Sequence, residues 1–215
     1  MYTREFGLQS YLVRGVHSKK SKIKANYFHG LMLLDMIATH SDTQSLGRIN
    51  EITAAKSFTP EFDPVKSAIA IFLNELIYKT IQETEANPGL FEFLITALDL
   101  LSLKENKASN FHLSFMIRYT QYLGFYPTFN YSPENRHFDL KEACFVRTGQ
   151  GQTYVLEEEL SRHFYELMNS KLEVCEQVQV TNTQRKALLS ALLDYYKWHR
   201  ALTSDLISHT IMGQL

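Results

Sequence analysis

The sequence is poor in the features that mark secretion, membrane insertion or a metal centre. Its 215 residues contain only two cysteines, Cys144 and Cys175, which are too few for a disulfide framework and do not match the spacing of a zinc motif. No run of about 18 apolar residues is present, so no membrane-spanning helix is expected. The first residues include an acid and lack the apolar stretch of a signal peptide. We therefore predict a soluble cytoplasmic protein.

Motifs of catalysis and of phosphate binding are missing as well. The eight histidines include no His-x-x-x-His pair, residues 15–19 lack the ending of a Walker A loop, and residues 149–151 lack the third glycine of a dinucleotide fingerprint. The acidic triplet 157–159 is interpreted as a helix start, where carboxylates meet the positive end of the dipole. His112 and His199 are interpreted as packed or surface residues of helices. The sequence thus predicts no catalytic site, metal or cofactor, and an unrecognised hydrolase or transferase remains the enzymatic alternative.

The overall charge is almost balanced but unevenly distributed. Lys and Arg number 22 and Asp and Glu number 23, which gives a formal net charge of −1. Residues 1–58 hold eight basic and four acidic side chains, so the remainder of the chain is net acidic. Two electrostatically different parts favour two modules with different partners.

A basic segment in the first module is the most informative feature. Residues 15–24 read Gly-Val-His-Ser-Lys-Lys-Ser-Lys-Ile-Lys and contain no acid, and aromatic residues flank them at Tyr11, Tyr27 and Phe28. Lysine neutralises phosphate without reading sequence, and aromatic rings stack on unpaired bases. We predict that the segment binds nucleic acid, although a solvated surface loop has the same composition.

The hydropathy pattern predicts short strands in the first sixty residues. A strand is expected near Leu8–Arg14, and another over Arg48–Ala54, with Ile49, Glu51 and Thr53 on one side. The apolar run Leu31–Ile37 cannot be assigned from its periodicity alone. The first module is therefore predicted to be a small, partly basic β-domain.

From residue 60 onward the pattern becomes helical. Asp63-Pro64 and Asn87-Pro88 each supply a capping oxygen followed by a proline at the first helical position. Later elements are a central buried helix from about Asn110 to Leu123 that ends at Gly124, irregular or short-stranded residues at 125–156, a helix around Leu160–Met168, a helix after the capping box Thr181–Gln184, and a short helix over Ser204–Met212.

In these segments the sequence resembles the RecO family of bacterial recombination mediators. The resemblance is carried, in order, by residues 2–7, 15–21, 31–34, 48–52, 63–68, 110–113 and 122–127. Each piece is short, but their succession covers most of the chain. The resemblance implies an α+β fold: an OB-like, incomplete β-barrel in residues 1–60 is followed by an all-α helical domain in residues 61–215, with a short irregular or β insertion near 125–156.

The resemblance also implies a function and a set of site residues. The family binds single- and double-stranded DNA, anneals complementary strands and loads recombinase together with RecR and single-strand-binding protein, without breaking covalent bonds. Such a protein is expected to be cytoplasmic and associated with the nucleoid, not with a membrane. The implied DNA-binding residues are Arg14, Lys19, Lys20, Lys22 and Lys24, with Tyr11 beside them and Arg4 as a further candidate.

The chain departs from the family pattern in two places. Many members hold zinc with four cysteines after the segment that corresponds to residues 124–127, but here residues 127–133 contain none. The family also places a strand and hairpin before the position of Met1, which corresponds to roughly 15–20 absent residues. We expect the barrel to be open as a result, with an exposed strand edge.

A protein-interaction adaptor is the alternative function. Grooves between helices accept apolar peptides, and the family's contact with the tail of single-strand-binding protein is of this kind. The helical half is net acidic, so an acidic tail would need a local basic pocket. The candidate partner-binding residues, which share one C-terminal helix, are Arg185, Lys186, Lys197 and Arg200.

Overall fold

The computed structural model describes residues 1–14, 16, 23–28, 30–39, 46–57, 63–82, 84–103, 108–147 and 154–209. The chain forms two compact units: 1–62 together with 81–104, and 63–80 together with 105–215. Short strands come first and helices follow, which confirms the predicted α+β class. The domain boundary at residue 60 stays a prediction, and by its contacts the first unit also takes in the helical segment near 90.

The strands lie in three small sheets. They are β1 (Tyr2–Thr3), β2 (Gly7–Leu8), β3 (Tyr11–Leu12), β4 (Met32–Thr39), β5 (Gly47–Ser57), β6 (His137–Asp139) and β7 (Cys144–Val146). The main sheet has the order β3-β5-β4, with β3 parallel and β4 antiparallel to the central strand β5. Strands β1 and β2 pair antiparallel. In the described residues these strands do not close a barrel.

Five α-helices and two short 3₁₀-helices are present in the described residues. The α-helices are α1 (Pro64–Thr80), α2 (Pro88–Ser102), α3 (Phe111–Tyr119), α4 (Glu158–Asn169) and α5 (Asn182–Trp198), and the 3₁₀-helices span Ala25–Phe28 and Leu172–Gln177. None of these described helices combines the length and apolar character needed to cross a bilayer.

The side chains that strand β5 buries differ from those predicted. Ile49 and Ile52 are the buried apolar residues of this strand, whereas Glu51 and Thr53 are exposed. The cause is a register shift: Ala38 of β4 pairs with Ile49 and Ile37 pairs with Glu51, so that Asn50 is an extra residue on β5. A bulge of this kind turns the following side chains to the other face, which strict alternation cannot anticipate.

Helix α2 belongs to the first unit and packs near its N-terminal strands. The Tyr2 and Phe91 rings lie 6.3 Å apart, and the Tyr2 hydroxyl donates a 3.4 Å hydrogen bond to the Asn87 carbonyl. Gly7 has a φ of +63° and lies against the Glu85 backbone, where a Cβ atom would clash. Glycine is therefore required at this turn on both counts.

The helix starts predicted from local motifs are confirmed. The Asp63 carboxylate accepts hydrogen bonds from the Val65 and Lys66 amides at 2.9 and 3.1 Å, and Asn87 accepts one from the Leu90 amide at 3.0 Å. Thr181 and its partner three residues later form a full capping box at the start of α5. These motifs act over one helical turn, so the sequence alone is sufficient to identify them.

Two predicted helix ends differ from the structure. The third helix ends at Tyr119, four residues early, because a turn follows it before Gly124 takes a φ of +85°. The predicted helix from Ser204 is wrong over residues 204–208, which form turns and bends held to α1 by Glu75. Residues 210–212 lie outside the described part.

The second unit is built around α3 and a cluster of aromatic rings. Every residue of α3 except Arg118 is buried, as predicted for a central helix. The hairpin of β6 and β7 contributes Phe138 and Phe145, and the Phe138 ring stacks on Phe164 of α4 at 4.1 Å. This core fixes α5, which carries the candidate partner-binding residues.

Candidate nucleic-acid interface

The basic segment connects two anchored points of the first unit. Strand β3 precedes the segment and pairs with β5, and the 3₁₀-helix at 25–28 follows it and lies against β4 and β5. Arg14 and Lys24, which flank the segment, are exposed. The predicted DNA-binding residues Lys19, Lys20 and Lys22 lie outside the described residues. The three-stranded sheet thus holds both ends of the lysine segment.

Aromatic side chains lie at both ends of the segment. Tyr11 is half-buried in β3, and burial raises the pKa of its hydroxyl. Phe28 is exposed, at 39% of its surface, while Tyr27 is half-buried. An exposed ring close in sequence to several lysines is the combination that single-strand binding uses.

Pairing of β3 with β5 adds a cation that spacing in the sequence does not reveal. Leu12 pairs with Arg48, so this arginine is brought within two residues of Arg14. Both arginines are exposed, and within the described part of the chain neither forms an ion pair. The two are 34 positions apart, and only the parallel register brings them together.

The candidate Arg4 differs from these cations because it is already paired. Its guanidinium forms an ion pair with the Glu92 carboxylate of α2, and both side chains are more than half exposed. Exposed pairs of this kind are weak, so a phosphate could compete for the guanidinium. Arg4 remains a prediction, with part of its charge compensated by the protein itself.

The four candidate partner-binding residues do not form a single site. Lys186 and Lys197 line an apolar-floored pocket of about 300 Å³ between α5 and residues 202–209. Arg185 and Lys186 line a smaller pocket of about 70 Å³ next to His112. Arg200 lies beyond the end of α5 and lines neither of these pockets.

Hydrogen bonds hold two of these cations in fixed positions. The Arg185 guanidinium donates to the Asn110 side chain at 3.2 Å and to the Val180 carbonyl at 3.1 Å. The Lys197 ammonium lies 2.7 Å from the Asp205 carboxylate, and this hydrogen bond raises the pKa of Lys197. An incoming acidic peptide would therefore have to compete with Asp205 for Lys197.

His112 of α3 and His199 are packed residues, as predicted, but His199 is the first residue after α5 and not part of the helix. His112 is 2% exposed and lies edge-on to Phe72 at 6.2 Å. Burial, with a smaller contribution from the Arg185 charge, lowers the pKa of His112 to about 3, so the ring is neutral. The His199 ring stacks on Phe125 at 4.9 Å and hydrogen bonds to the Leu140 carbonyl at 3.0 Å.

Among the described residues, no three or more His, Cys, Asp and Glu side chains come together in a group that could hold a metal ion. Burial raises the pKa of Cys175 to about 12 and raises that of Cys144 as well, so neither thiol is activated. The acidic triplet starts α4 as expected, with Glu158 and Glu159 in its first turn.

Side-chain hydrogen bonds hold residues 127–133, the segment for which the family resemblance implies zinc-binding cysteines in many members. The Asn130 amide donates to the Phe145 carbonyl at 2.9 Å and accepts from the Phe145 amide at 2.8 Å. The Tyr131 ring stacks on Tyr165 of α4 at 4.4 Å. One asparagine and one ring pair thus tie residues 127–133 to the hairpin and to α4.

Comparisons with known proteins cover both units. A family profile described as "Recombination protein O N terminal" matches residues 1–58, and one described as "Recombination protein O C terminal" matches residues 61–204. Three relatives are called DNA repair protein RecO. The chain is 31% identical to that of Azobacteroides pseudotrichonymphae over 98% of this chain and 88% of the relative. It is 35% identical to that of Bacteroides fragilis (93% and 83%) and 36% to that of Flavobacterium johnsoniae (92% and 82%).

Proposed function

The chain belongs to the RecO family of DNA repair proteins, and from this premise we propose that it binds DNA and anneals complementary single strands without catalysing a covalent step. The observation that carries the proposal is the match of both family profiles, in order, over residues 1–58 and 61–204. The anchored basic segment supports it independently of the family. We place the activity in the cytoplasm, at the nucleoid.

Annealing requires a surface that reduces the repulsion between two phosphate backbones. In our proposal Lys19, Lys20, Lys22 and Lys24 neutralise backbone phosphates, while Arg14 extends the cationic surface onto the sheet. Each neutralised phosphate releases condensed counterions, which makes the binding depend steeply on salt. The contacts read no bases, so both single- and double-stranded DNA are bound.

A salt series tests the proposed DNA contact. Affinity for a fluorescent single-stranded oligonucleotide is measured by anisotropy for the full chain and for the Lys20→Ala/Lys22→Ala variant. The variant should bind more weakly at low salt, and the slope of log K against log salt should become shallower by about 0.7 for each phosphate that is no longer neutralised.

The matched control removes two lysines from the helical unit. Lys171→Ala/Lys186→Ala makes the same change in net charge, and both side chains are exposed. We expect its affinity and salt slope to stay close to those of the unaltered protein. Equal behaviour of the two double variants would contradict the proposal, because the effect would then follow total charge alone.

We further propose that the helical unit contacts partner proteins, namely RecR and the acidic tail of single-strand-binding protein. The 300 Å³ pocket beside α5 favours a peptide site, because four leucines line it together with Lys186 and Lys197. Asp194 and Asp205 also line the pocket, so among the described residues Lys186 is the cation that an acidic tail would meet without an ion pair to displace. A protein-interaction adaptor with little DNA binding of its own is the second candidate function on the same observation.

Titration of a labelled acidic tail peptide separates these two candidates. Lys186→Glu should weaken peptide binding at least about fivefold, and it should leave oligonucleotide binding unchanged. Lys171→Glu, also on the exposed surface, is the charge-matched control. Peptide binding by a protein that binds no oligonucleotide would favour the adaptor over the annealing protein.

A further inference from the structure

In the second unit, the Lys141 side chain contacts two aromatic rings, one of which belongs to the last residue of α5. The Lys141 ammonium is 4.2 Å from the centre of the Tyr154 ring and 4.3 Å from the centre of the Trp198 ring. The two rings meet edge to face at 6.3 Å. An ammonium group over aromatic faces is held by the ring quadrupole, so the three side chains form one pre-organised group.

The indole of this group is unusually accessible. Trp198 is the only tryptophan of the chain and 49% of its surface is exposed, although tryptophan is mostly buried on average. It is the last residue of α5, whose buried side faces the core of the unit. About half of the tryptophan is therefore open to solvent on a rigid element, beside the ring face that Lys141 covers.

A strained arginine lies two residues further on. Helix α5 ends in a Schellman motif, in which the Ala201 amide donates to the Tyr196 carbonyl at 2.9 Å and the Arg200 amide donates to the Lys197 carbonyl at 3.0 Å. The motif places Arg200 at a φ of +58°, where glycine is strongly preferred. Leu31 and Ala143 also have a positive φ, so the backbone alone does not explain why an arginine stands at position 200.

We propose that Lys141, Tyr154, Trp198 and Arg200, here called the Trp198 platform, bind an unpaired base of single-stranded DNA and its phosphate. The base stacks on the exposed indole, and Lys141 and Arg200 neutralise the backbone. This inference rests on the DNA binding proposed above and adds a second contact, in the helical unit, to the basic segment of the first unit.

The chemistry of the platform favours a nucleic-acid base over an acidic peptide. Stacking requires a flat, accessible π-surface, and every base has one, whereas an acidic tail needs mainly charge. The chain beyond residue 58 is net acidic, and Glu142 lies next to Lys141 in the sequence. Long-range attraction is therefore weak at the platform. The contact is a stacking contact, and it should depend less on salt than that of the basic segment.

The single tryptophan gives a direct readout on the full chain. Oligo-dT is added while the tryptophan emission is followed, and stacking on the indole should quench it in step with the anisotropy signal of the labelled strand. Trp198→Ala should weaken oligonucleotide binding between about 5-fold and about 100-fold, the range of one base–aromatic stack. Trp198→Phe should retain most of the affinity.

Two further variants separate binding from folding. Arg200→Gly should raise Tm by about 2–4 °C because the strain is relieved, and yet weaken oligonucleotide binding. Tyr78→Ala removes another highly exposed aromatic residue of the same unit, 83% exposed, and should change neither property. Weaker binding by a more stable protein cannot be explained by misfolding.

The outcomes distinguish the platform from the proposed function itself. Oligonucleotide binding without quenching, or unchanged affinity of Trp198→Ala, overturns the platform and leaves the basic segment as the DNA contact. Absence of any oligonucleotide binding overturns the proposed function. Quenching by the acidic tail peptide, with none by oligo-dT, also overturns the platform and assigns this surface to the peptide.

Discussion

The two units bury very different amounts of side-chain volume. In the three-stranded sheet of the first unit, Ile49 and Ile52 are the buried apolar residues, whereas Ile37 is 60% exposed. The second unit encloses complete aromatic side chains; among them, Tyr119, Phe138 and Phe164 have at most 1% of their surface exposed. Burial of apolar surface is the main source of stability, so the three-stranded sheet contributes little, and the buried core of the first unit lies mainly on α2, at Leu90, Ala97 and Leu101.

Polar groups follow the same division. Two buried tyrosine hydroxyls of the second unit are paired: Tyr196 donates to the Met116 carbonyl at 2.8 Å, and the Tyr119 hydroxyl lies 2.9 Å from the Thr80 hydroxyl. Several side-chain hydrogen bonds between described residues of the first unit are exposed, such as that from Asn50 to Thr39, and others, such as that from Tyr2 to the Asn87 carbonyl, are partly buried. If the first unit binds a DNA strand and α5 binds a peptide, as proposed above, exposed hydrogen bonds suit the first role and buried ones the second.

Truncating one core residue in each unit should give the largest contrast. Phe138→Ala is expected to reduce the free energy of unfolding by about 3–5 kcal/mol, because the ring is fully enclosed and its cavity cannot collapse. Ile52→Ala should cost about 2 kcal/mol, at the low end, because the thin sheet relaxes around it. Hydrogen exchange resolved by segment measures both; equal losses of protection would contradict the comparison.

The stability of the protein as a function of pH should reveal the hydrogen bonds between Glu75 of α1 and residues 207–208. Burial tends to raise the pKa of Glu75, but hydrogen bonds from the Ser208 side chain, the Ile207 and Ser208 amides and Lys79 outweigh it and lower that pKa to about 2. Because the folded value lies below the ordinary 4.5, the stabilisation is complete above pH 4.5 and is lost as the pH falls towards 2.

Replacing the carboxylate isolates this contribution. Glu75→Gln should cost about 1.5–3 kcal/mol at pH 7, the range for hydrogen bonds to a charged group, and little at about pH 2. Chemical denaturation at the two pH values measures it, with the exposed Glu142→Gln as control. A cost that is the same under acidic and neutral conditions would show that the charge is not responsible.

Removing one helix cap from each unit should reduce the free energy of unfolding by nearly the same amount. Asn87→Ala removes the cap of α2 in the first unit, and Thr181→Ala removes that of α5 in the second. Each should cost about 1 kcal/mol. Exchange protection should fall in the unit that contains the substitution, and a uniform decrease throughout the chain would mean that the two unfold as one.

The smallest expected effect comes from the surface of the first unit. Lys56 and Asp99 form an ion pair at 2.6 Å, with 56% and 44% of their side chains exposed. A double-mutant cycle with Lys56→Ala and Asp99→Ala should give a coupling of at most about 1 kcal/mol that vanishes in high salt. A larger, salt-independent coupling would show that this unit is more tightly built than its burial indicates.

The sequence was a good guide wherever the determining interaction is local. The caps at Asp63, Asn87 and Thr181 each span one turn, and the all-round apolar pattern of α3 requires a central position. The predictions were wrong where the local structure depends on contacts with residues outside the local sequence motif. The bulge at Asn50 depends on the partner strand, and the end of α3 at Tyr119 depends on the turn that packs after it.

The candidate site was predictable to the same degree. A run of lysines is visible in the sequence, but the approach of Arg48 to Arg14 depends on a parallel pairing across 34 residues. The Trp198 platform joins three separate segments around a single lysine, so no spacing rule could have identified it. Local chemistry led to the proposed class of ligand, and only the fold brings each of these further groups of residues together.

Asn130 has a consequence for how the protein tolerates chemical stress. The family resemblance implies that many members hold this turn with thiolates and a zinc ion. Peroxide oxidises thiolates, and chelating agents remove the ion. A carboxamide bridging both backbone groups of Phe145 offers neither a sulfur atom to oxidise nor a cation to extract. The link that Asn130 makes between its own segment and the hairpin should therefore persist in the presence of peroxide or a chelating agent.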